Sequence, residues 1–151
     1  MLGACLATQR RPATEQLQPA DMIGGIANMM PASHVRRFAA RMKPEIAVHC
    51  FPLNSIMAAL NVTHVDYLSL DVEGPEVEIL RTVDWSRLRV DVITVEYVIA
   101  GGGKSRVDVP ATLTKLAKLR QFFRQTGIHR EVTVLPAGSD ERGQDVVFAL
   151  I

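Results

Sequence analysis

The chain has 151 residues, of which 48% are hydrophobic and 22% are charged, with a formal net charge of +1. These values indicate one soluble globular domain and exclude wholesale disorder. The even charge balance gives no electrostatic argument for binding nucleic acid or an anionic membrane. Residues 2–7 are too short for the apolar part of a signal peptide. The location is therefore left open, and a cytoplasmic one is suggested only by the absence of such signals.

Residues 1–45 differ from the rest, because glycine and proline interrupt them and no strand pattern persists. An irregular segment is therefore predicted there. One short helix is predicted over residues 33–42, with Ser33 as its N-cap. The inward face of this helix would comprise Val35, Phe38, Ala39 and Met42.

From residue 46 onward, strand and helix patterns alternate. The predicted strands are residues 46–51, 65–72, 90–99, 131–136 and 145–151. The predicted helices are residues 52–60, 75–83 and 110–126, the last with Leu113, Leu116, Ala117 and Phe123 facing inward. A polar turn at residues 138–143 makes the final strand pair an antiparallel hairpin. The alternation predicts an α/β domain with a mostly parallel sheet.

A membrane span is not predicted for the uncharged stretch of residues 46–63. This stretch contains Pro52, Asn54 and Asn61, and its apolar residues are periodic rather than continuous. Its composition therefore fits a strand followed by an amphipathic helix better than a segment that lies in lipid.

Carboxylates follow the predicted strands at the end where ligands bind in α/β sheets. Asp71 and Glu73 end the first strong strand, Gly74 allows a sharp turn, and Glu76 follows in the next helix. Glu96 lies in the apolar run of the next strand, where a lone carboxylate is costly to bury. If the strands are neighbours, these groups could orient a substrate, act as a general base or hold a divalent cation. Alternatively, Asp71 and Glu73 satisfy helix N–H groups and Glu96 pairs with a buried arginine.

The cysteines and histidines show no pattern of a known site. Cys5 and Cys50 are too few for a disulfide framework or a thiolate zinc site, so buried free thiols are predicted. The histidines have neither metal-ligand spacing nor a nucleophile motif, and structural or surface roles are predicted for all four: His34, His49, His64 and His129.

Two stretches of sequence resemble a known family. Residues 64–80 read HVDYLSLDVEGPEVEIL, and residues 92–97 read VITVEY. They resemble the FkbM-type methyltransferase domain, in which a strand ending in D-x-E-G-x-E precedes a strand ending in V-E. Residues 50–56 and 59–63 resemble more particularly the invertebrate branch that includes the Star-like proteins of the early secretory pathway. The resemblance covers about residues 46–151.

The resemblance implies a class I (Rossmann-like) methyltransferase fold, with helices on both faces of a mostly parallel sheet and an antiparallel last strand. It implies S-adenosylmethionine as methyl donor and an oxygen acceptor, such as a small-molecule or glycan-like hydroxyl. By position, the loop that contains Asp71 and Glu73 would lie beside the transferred methyl group. The catalytic residues predicted in this way are Asp71, Glu73 and Glu96, and the substrate-binding residues are Gly74 and Glu76.

The sequence departs from the family pattern at its N-terminal side. The glycine-rich D-x-G-x-N-type loop that cradles the donor has no counterpart here, and neither has the acidic residue that holds its ribose. Residues 1–45 are therefore expected to be a remnant of the upstream part of the domain, and residues 46–151 its C-terminal part. A complete domain of this kind would need about 200 residues.

Three functions stay open at this point. The first is a methyltransferase that acts on oxygen. The second is a non-catalytic Star-like protein of endoplasmic reticulum, Golgi and endosome trafficking, whose full-length form would associate with a membrane. The third is a truncated product without activity of its own.

Overall fold

The computed structural model describes residues 4–101, 107–135 and 145–151. The strands of these residues are Ala4–Leu6 (β1), Ala13–Gln18 (β2), Gly25–Ile26 (β3), Ile46–Phe51 (β4), His64–Leu70 (β5), Arg89–Glu96 (β6), His129–Leu135 (β7) and Asp145–Leu150 (β8). The α-helices are Ala32–Phe38 (α1), Leu53–Ala59 (α2), Glu76–Thr82 (α3) and Val109–Thr126 (α4). The predicted alternation of strands and helices is confirmed from β4 onward.

The strands form two mixed sheets, so the prediction of a mostly parallel sheet was wrong. The first sheet has the order β1-β4-β2-β3, in which β1 and β4 are parallel and the other pairs antiparallel. The second has the order β5-β6-β8-β7, in which β5 and β6 are parallel. Strand β8 runs antiparallel to both β6 and β7, which confirms the predicted pairing of the last two strands. The predicted turn at residues 138–143 lies outside the described residues.

The parallel pair β5–β6 is explained by its connection. Parallel strands need a crossover, and α3 supplies one between β5 and β6. The helix between β4 and β5 gives no such pair, because β4 belongs to the other sheet. In the described part of the chain, each sheet therefore contains one parallel pair.

The N-terminal region contains strands that the sequence analysis did not predict. Strands β1, β2 and β3 are short, and β2 is mostly polar (ATEQLQ), so neither length nor apolar pattern marks them. They form by pairing with β4 and with each other. Strands β1 and β4 place Cys5 opposite Cys50, and the two are joined by a disulfide. The prediction of two free thiols was therefore wrong.

Most of the hydrophobic core lies between the second sheet and helices α3 and α4. The buried residues there include Val77, Leu80 and Val83. Phe123 of α4 stacks on Phe148 of β8, with 3.9 Å between the ring centroids. None of the helices in the described ranges is both long and apolar enough to span a membrane.

Two helices differ from the predicted inward faces. In α4, Leu113 is exposed, whereas the buried residues include Thr112 and Lys115 beside the apolar ones. In α1, the buried residues are Ser33 and His34, and Pro31 rather than Ser33 occupies the N-cap position. The first turns of α4 bury polar Thr112 and Lys115, whereas Leu116, Leu119, Phe122 and Phe123 further along pack in the apolar core. In α1, burial follows the contacts of His34 with other segments and not the apolar stripe.

Candidate functional site

The site is built on the loop between β5 and α3. Its backbone is unusual, because Glu73 has φ +60° and Gly74 has φ +146°. Positive φ is uncommon for a residue with a side chain and is found often at functional sites. A Cβ on Gly74 would lie 2.7 Å from the carbonyl oxygen of Met29, so glycine is needed both for its conformation and for its close contact with the N-terminal region.

Glu76 holds this loop in place from inside. Its side chain is fully buried at the first turn of α3, and Oε1 accepts hydrogen bonds from the backbone N–H groups of Val72 (3.2 Å) and Gly74 (3.1 Å). The second oxygen, Oε2, lies 2.7 Å from Nζ of Lys115. This contact has the distance of an ion pair without hydrogen-bond geometry. A buried carboxylate needs such a partner because burying a lone charge is costly.

Lys115 brings a positive charge into the site from α4. Its side chain is only 7% exposed, and its Nζ also lies 4.0 Å from Oε2 of Glu96, the last residue of β6. A lysine therefore takes the place of the arginine that the structural interpretation of Glu96 expected. The sequence analysis missed Lys115, because a lysine in an amphipathic helix ordinarily indicates the solvent side.

The structure brings the predicted carboxylates together. Carboxylate oxygens of Asp71, Glu76 and Glu96 all lie within 4.8 Å of one another, and Asp71 is exposed. Glu73 is half-buried beside them. In the contacts of the described residues, Glu76 rather than Asp71 or Glu73 satisfies backbone N–H groups of the loop. The predicted catalytic roles of these residues stay predictions.

The electrostatics of the cluster favour protonation of two carboxyls. Desolvation raises the pKa of Glu73 to about 7, with a further contribution from the neighbouring negative charge of Asp71. Desolvation and Asp71 likewise raise the pKa of Glu96 to about 8, although the ammonium of Lys115 acts in the opposite direction. The pKa of Asp145, at the start of β8, is also raised by desolvation and by Asp71. Such shifted carboxyls are typical of functional sites.

His34 contacts the loop from α1. Its Nδ1 lies 3.3 Å from Oε2 of Glu73, and its Nε2 lies 3.0 Å from the carbonyl oxygen of Ile23. The sequence analysis did not connect His34 with the carboxylates, because His34 lies 37 positions before Asp71 and no motif contains both residues. Only the packing of the N-terminal region against the loop shows this pair.

An apolar cleft opens beside the site, between the start of α3 and the first turns of α4. Its volume is about 390 Å³. Gly74 and Lys115 contribute to both the cleft and the carboxylate site. The other lining residues are Met29, Pro75, Val77, Glu78, Ile99, Ala111, Thr114 and Lys118. A molecule of small size could therefore lie in the cleft with one end near the loop.

A comparison with protein families gives the class of this domain, which is that of methyltransferases. The family that matches is the methyltransferase FkbM domain, over residues 10–129. Because the match covers more than half of the chain, the chain belongs to the FkbM methyltransferase family, which confirms the resemblance seen in the sequence. Comparisons with curated proteins and with solved structures gave no match.

Proposed function

We propose that this chain forms the acceptor side of an S-adenosylmethionine-dependent methyltransferase that transfers a methyl group to oxygen. The observation that carries the proposal is that Asp71, Glu73 and Glu96 lie at the carboxyl ends of two neighbouring parallel strands in a member of this family, with carboxylate oxygens of Asp71 and Glu96 within 4.8 Å of each other. The acceptor would be a small molecule or a glycan-like hydroxyl. The apolar cleft beside the loop offers space for it.

The second sheet supports a methyltransferase fold of class I. Strand β8 is inserted between β6 and β7 and runs antiparallel to both. An antiparallel last strand is the feature that the family resemblance implies. The mixed first sheet contributes nothing to this argument.

Among the described residues, only the carboxylates of the site suit the methyl donor. S-adenosylmethionine supplies an activated methyl group on a positively charged sulfur, and the carboxylates of Asp71 and Glu73 suit a positive charge nearby. No glycine-rich cradle for the rest of the donor occurs in the described residues. Gly24 precedes the short strand β3, and Gly25 is the first residue of that strand. A Cβ on Gly24 would meet the backbone of Pro19 and Ala20.

Glu73 is suited to accept the proton of the acceptor hydroxyl. A general base works best when its pKa is near the operating pH, and the pKa of Glu73 is about 7. Glu96, with a pKa of about 8, is mostly protonated at neutral pH and can donate a hydrogen bond to the acceptor oxygen. Glu76 and Lys115 fix the loop and orient these groups.

The proposal is tested by methyl transfer from radiolabelled S-adenosylmethionine to a panel of sugars and small alcohols. The protein that carries these 151 residues is compared with its Glu73→Gln variant and with Glu45→Gln, a control at an exposed glutamate outside the site. We expect transfer by the wild type, a loss of about 100-fold or more in Glu73→Gln, and little change in the control. Calorimetry reports donor binding separately. Binding of the donor with equal transfer by wild type and Glu73→Gln would contradict the proposed role.

A further inference from the structure

The contact between His34 and Glu73 has features that a simple packing contact does not require. His34 is 3% exposed and its ring packs on Phe38, with 4.7 Å between the centroids. Both ring nitrogens face a polar partner, the carbonyl of Ile23 on one side and the carboxyl of Glu73 on the other. The imidazole is therefore held in one orientation by contacts at both ends.

These contacts determine which nitrogen carries the proton of the neutral ring. A carbonyl oxygen can only accept, so Nε2 of His34 must donate its hydrogen to Ile23. The neutral ring then has an unprotonated Nδ1, directed at Oε2 of Glu73. Two lone pairs at 3.3 Å repel each other, so this contact becomes favourable when one proton lies between the two atoms.

We propose that His34 is a positioning residue that acts through Glu73, orienting its carboxylate and sharing the proton that the carboxylate takes up. The inference rests on the proposed function. When the acceptor O–H bond breaks, the proton moves to Glu73 and is then shared between Oε2 and Nδ1. The O–H electron pair stays on the acceptor oxygen and would form the new bond to the methyl carbon, while the bond between that carbon and the sulfonium sulfur of the donor breaks and leaves its electron pair on sulfur. After transfer, the pair releases its proton to solvent.

The surroundings of the pair favour sharing of a proton over a fixed charge. His34 approaches from α1, and the other charged or titratable groups near Glu73 lie on the loop, α3, β6 and α4: Asp71, Glu76, Glu96 and Lys115. Three of these four are carboxyls, and the one ammonium is bound to Glu76. A further proton on the His34–Glu73 pair therefore reduces repulsion within the cluster.

The first test needs no enzymatic activity. Proton-dependent NMR signals of the His34 ring nitrogens and of the Glu73 carboxyl carbon are followed in the wild type from pH 5 to pH 9. We expect Nε2 to keep its proton over this range, and Nδ1 to change together with the Glu73 carbon. Detection of the Nδ1–H form of the neutral ring, or independent transitions of the two side chains, would overturn the proposal.

Two variants separate the pair from its surroundings. In Glu73→Gln, the Nδ1 signal should lose its joint change with residue 73, because the carboxyl partner at 3.3 Å is gone. His49→Gln is the matched control, since His49 is exposed and bonds to Thr14 in the first sheet. That control should leave the His34 signals unchanged. An unchanged Nδ1 transition in Glu73→Gln also contradicts the proposal.

Activity then distinguishes positioning from mere packing. His34→Gln can still form a hydrogen bond but cannot take up a proton, so we expect kcat to fall about 10-fold or more, with KM changed little and the pH profile displaced. A fall in kcat that only tracks loss of folded protein, with the pH profile unchanged, would indicate a packing role only. If wild type transfers no methyl group, the proposed function fails, whereas the NMR result still decides whether the pair shares a proton.

Discussion

The two sheets are stabilised in different ways. Among the described residues, the second sheet and its helices bury a cluster of 17 hydrophobic residues, whereas the cluster of the first sheet has three: Ala7, Val48 and Cys50. The first sheet adds the disulfide between Cys5 and Cys50, and its region contacts the loop between β5 and α3 through Met29 and His34. The comparison indicates that the second region is stabilised by its own hydrophobic core. The first region depends on its disulfide and on its packing against the second region.

The strongest way to break the second region is to remove the positive charge inside it. Lys115→Met leaves the buried carboxyl of Glu76 without its partner, and we expect a loss of about 3–5 kcal/mol in the free energy of unfolding, measured in urea. Lys118→Met, on the exposed side of the same helix, is the control and should cost little. The double variant Lys115→Met with Glu76→Gln should recover part of the loss. Equal costs for both single lysine variants would contradict the importance of the buried pair.

The first region should respond most to loss of its cross-link. Replacing Cys5 and Cys50 by serine should cost about 2–4 kcal/mol, since the disulfide closes a loop with a sequence separation of 45. Hydrogen exchange is the measurement that tests the comparison. Protection of amides in β1 and β4 should fall much more than protection in β6. An equal fall in both sheets would show that the two regions unfold as one unit.

The contact between the regions is tested by two glycines with positive φ. Gly74→Ala should cost about 2 kcal/mol or more, because its Cβ would collide with the carbonyl of Met29 in addition to the strain of its backbone. Gly127→Ala, at the end of α4, has no atom within 4 Å of its Cβ, so only about 1 kcal/mol is expected. Thermal unfolding of both variants measures the difference. Similar costs would mean that the regions separate easily at Met29.

The last effect is a dependence of stability on pH that comes from Glu96. Its folded-state pKa of about 8 lies above its ordinary value, so between about pH 5 and pH 8 the unfolded state gives up the proton that the folded state retains. The free energy of unfolding therefore falls as pH rises through this interval, by at most about 1.4 kcal/mol per pH unit for one group. Glu96→Gln should flatten the profile. A wild-type stability that increases over this interval, with no effect of the variant, would contradict the shift.

The elements of the second region could be predicted because the pattern of their apolar side chains indicates which positions are buried. The apolar run of β6 places Val90, Ile93 and Val95 in the core, and the helix over α4 ends at Gly127 as its sequence indicates. The carboxylates could be predicted as a cluster from their places at strand ends. These signals are local in the sequence, so they can be recognised without knowledge of the tertiary structure.

The features that the sequence missed depend on contacts between distant segments. The disulfide requires the register of β1 against β4, and β1 has only three residues. The inward position of Lys115 depends on Glu76, which a helical pattern does not reveal. His34 becomes part of the site only because the N-terminal region packs on the loop.

The burial of the Lys115–Glu76 pair has a consequence for ionic strength. Dissolved ions screen exposed charges strongly but reach buried charges poorly. The exposed pair of Lys43 with Asp21 should therefore weaken as salt is added, whereas the pair inside the site keeps its attraction. Glu76 continues to hold the backbone N–H groups of the loop under those conditions. The geometry of the loop is thus insulated from the salt concentration of its surroundings.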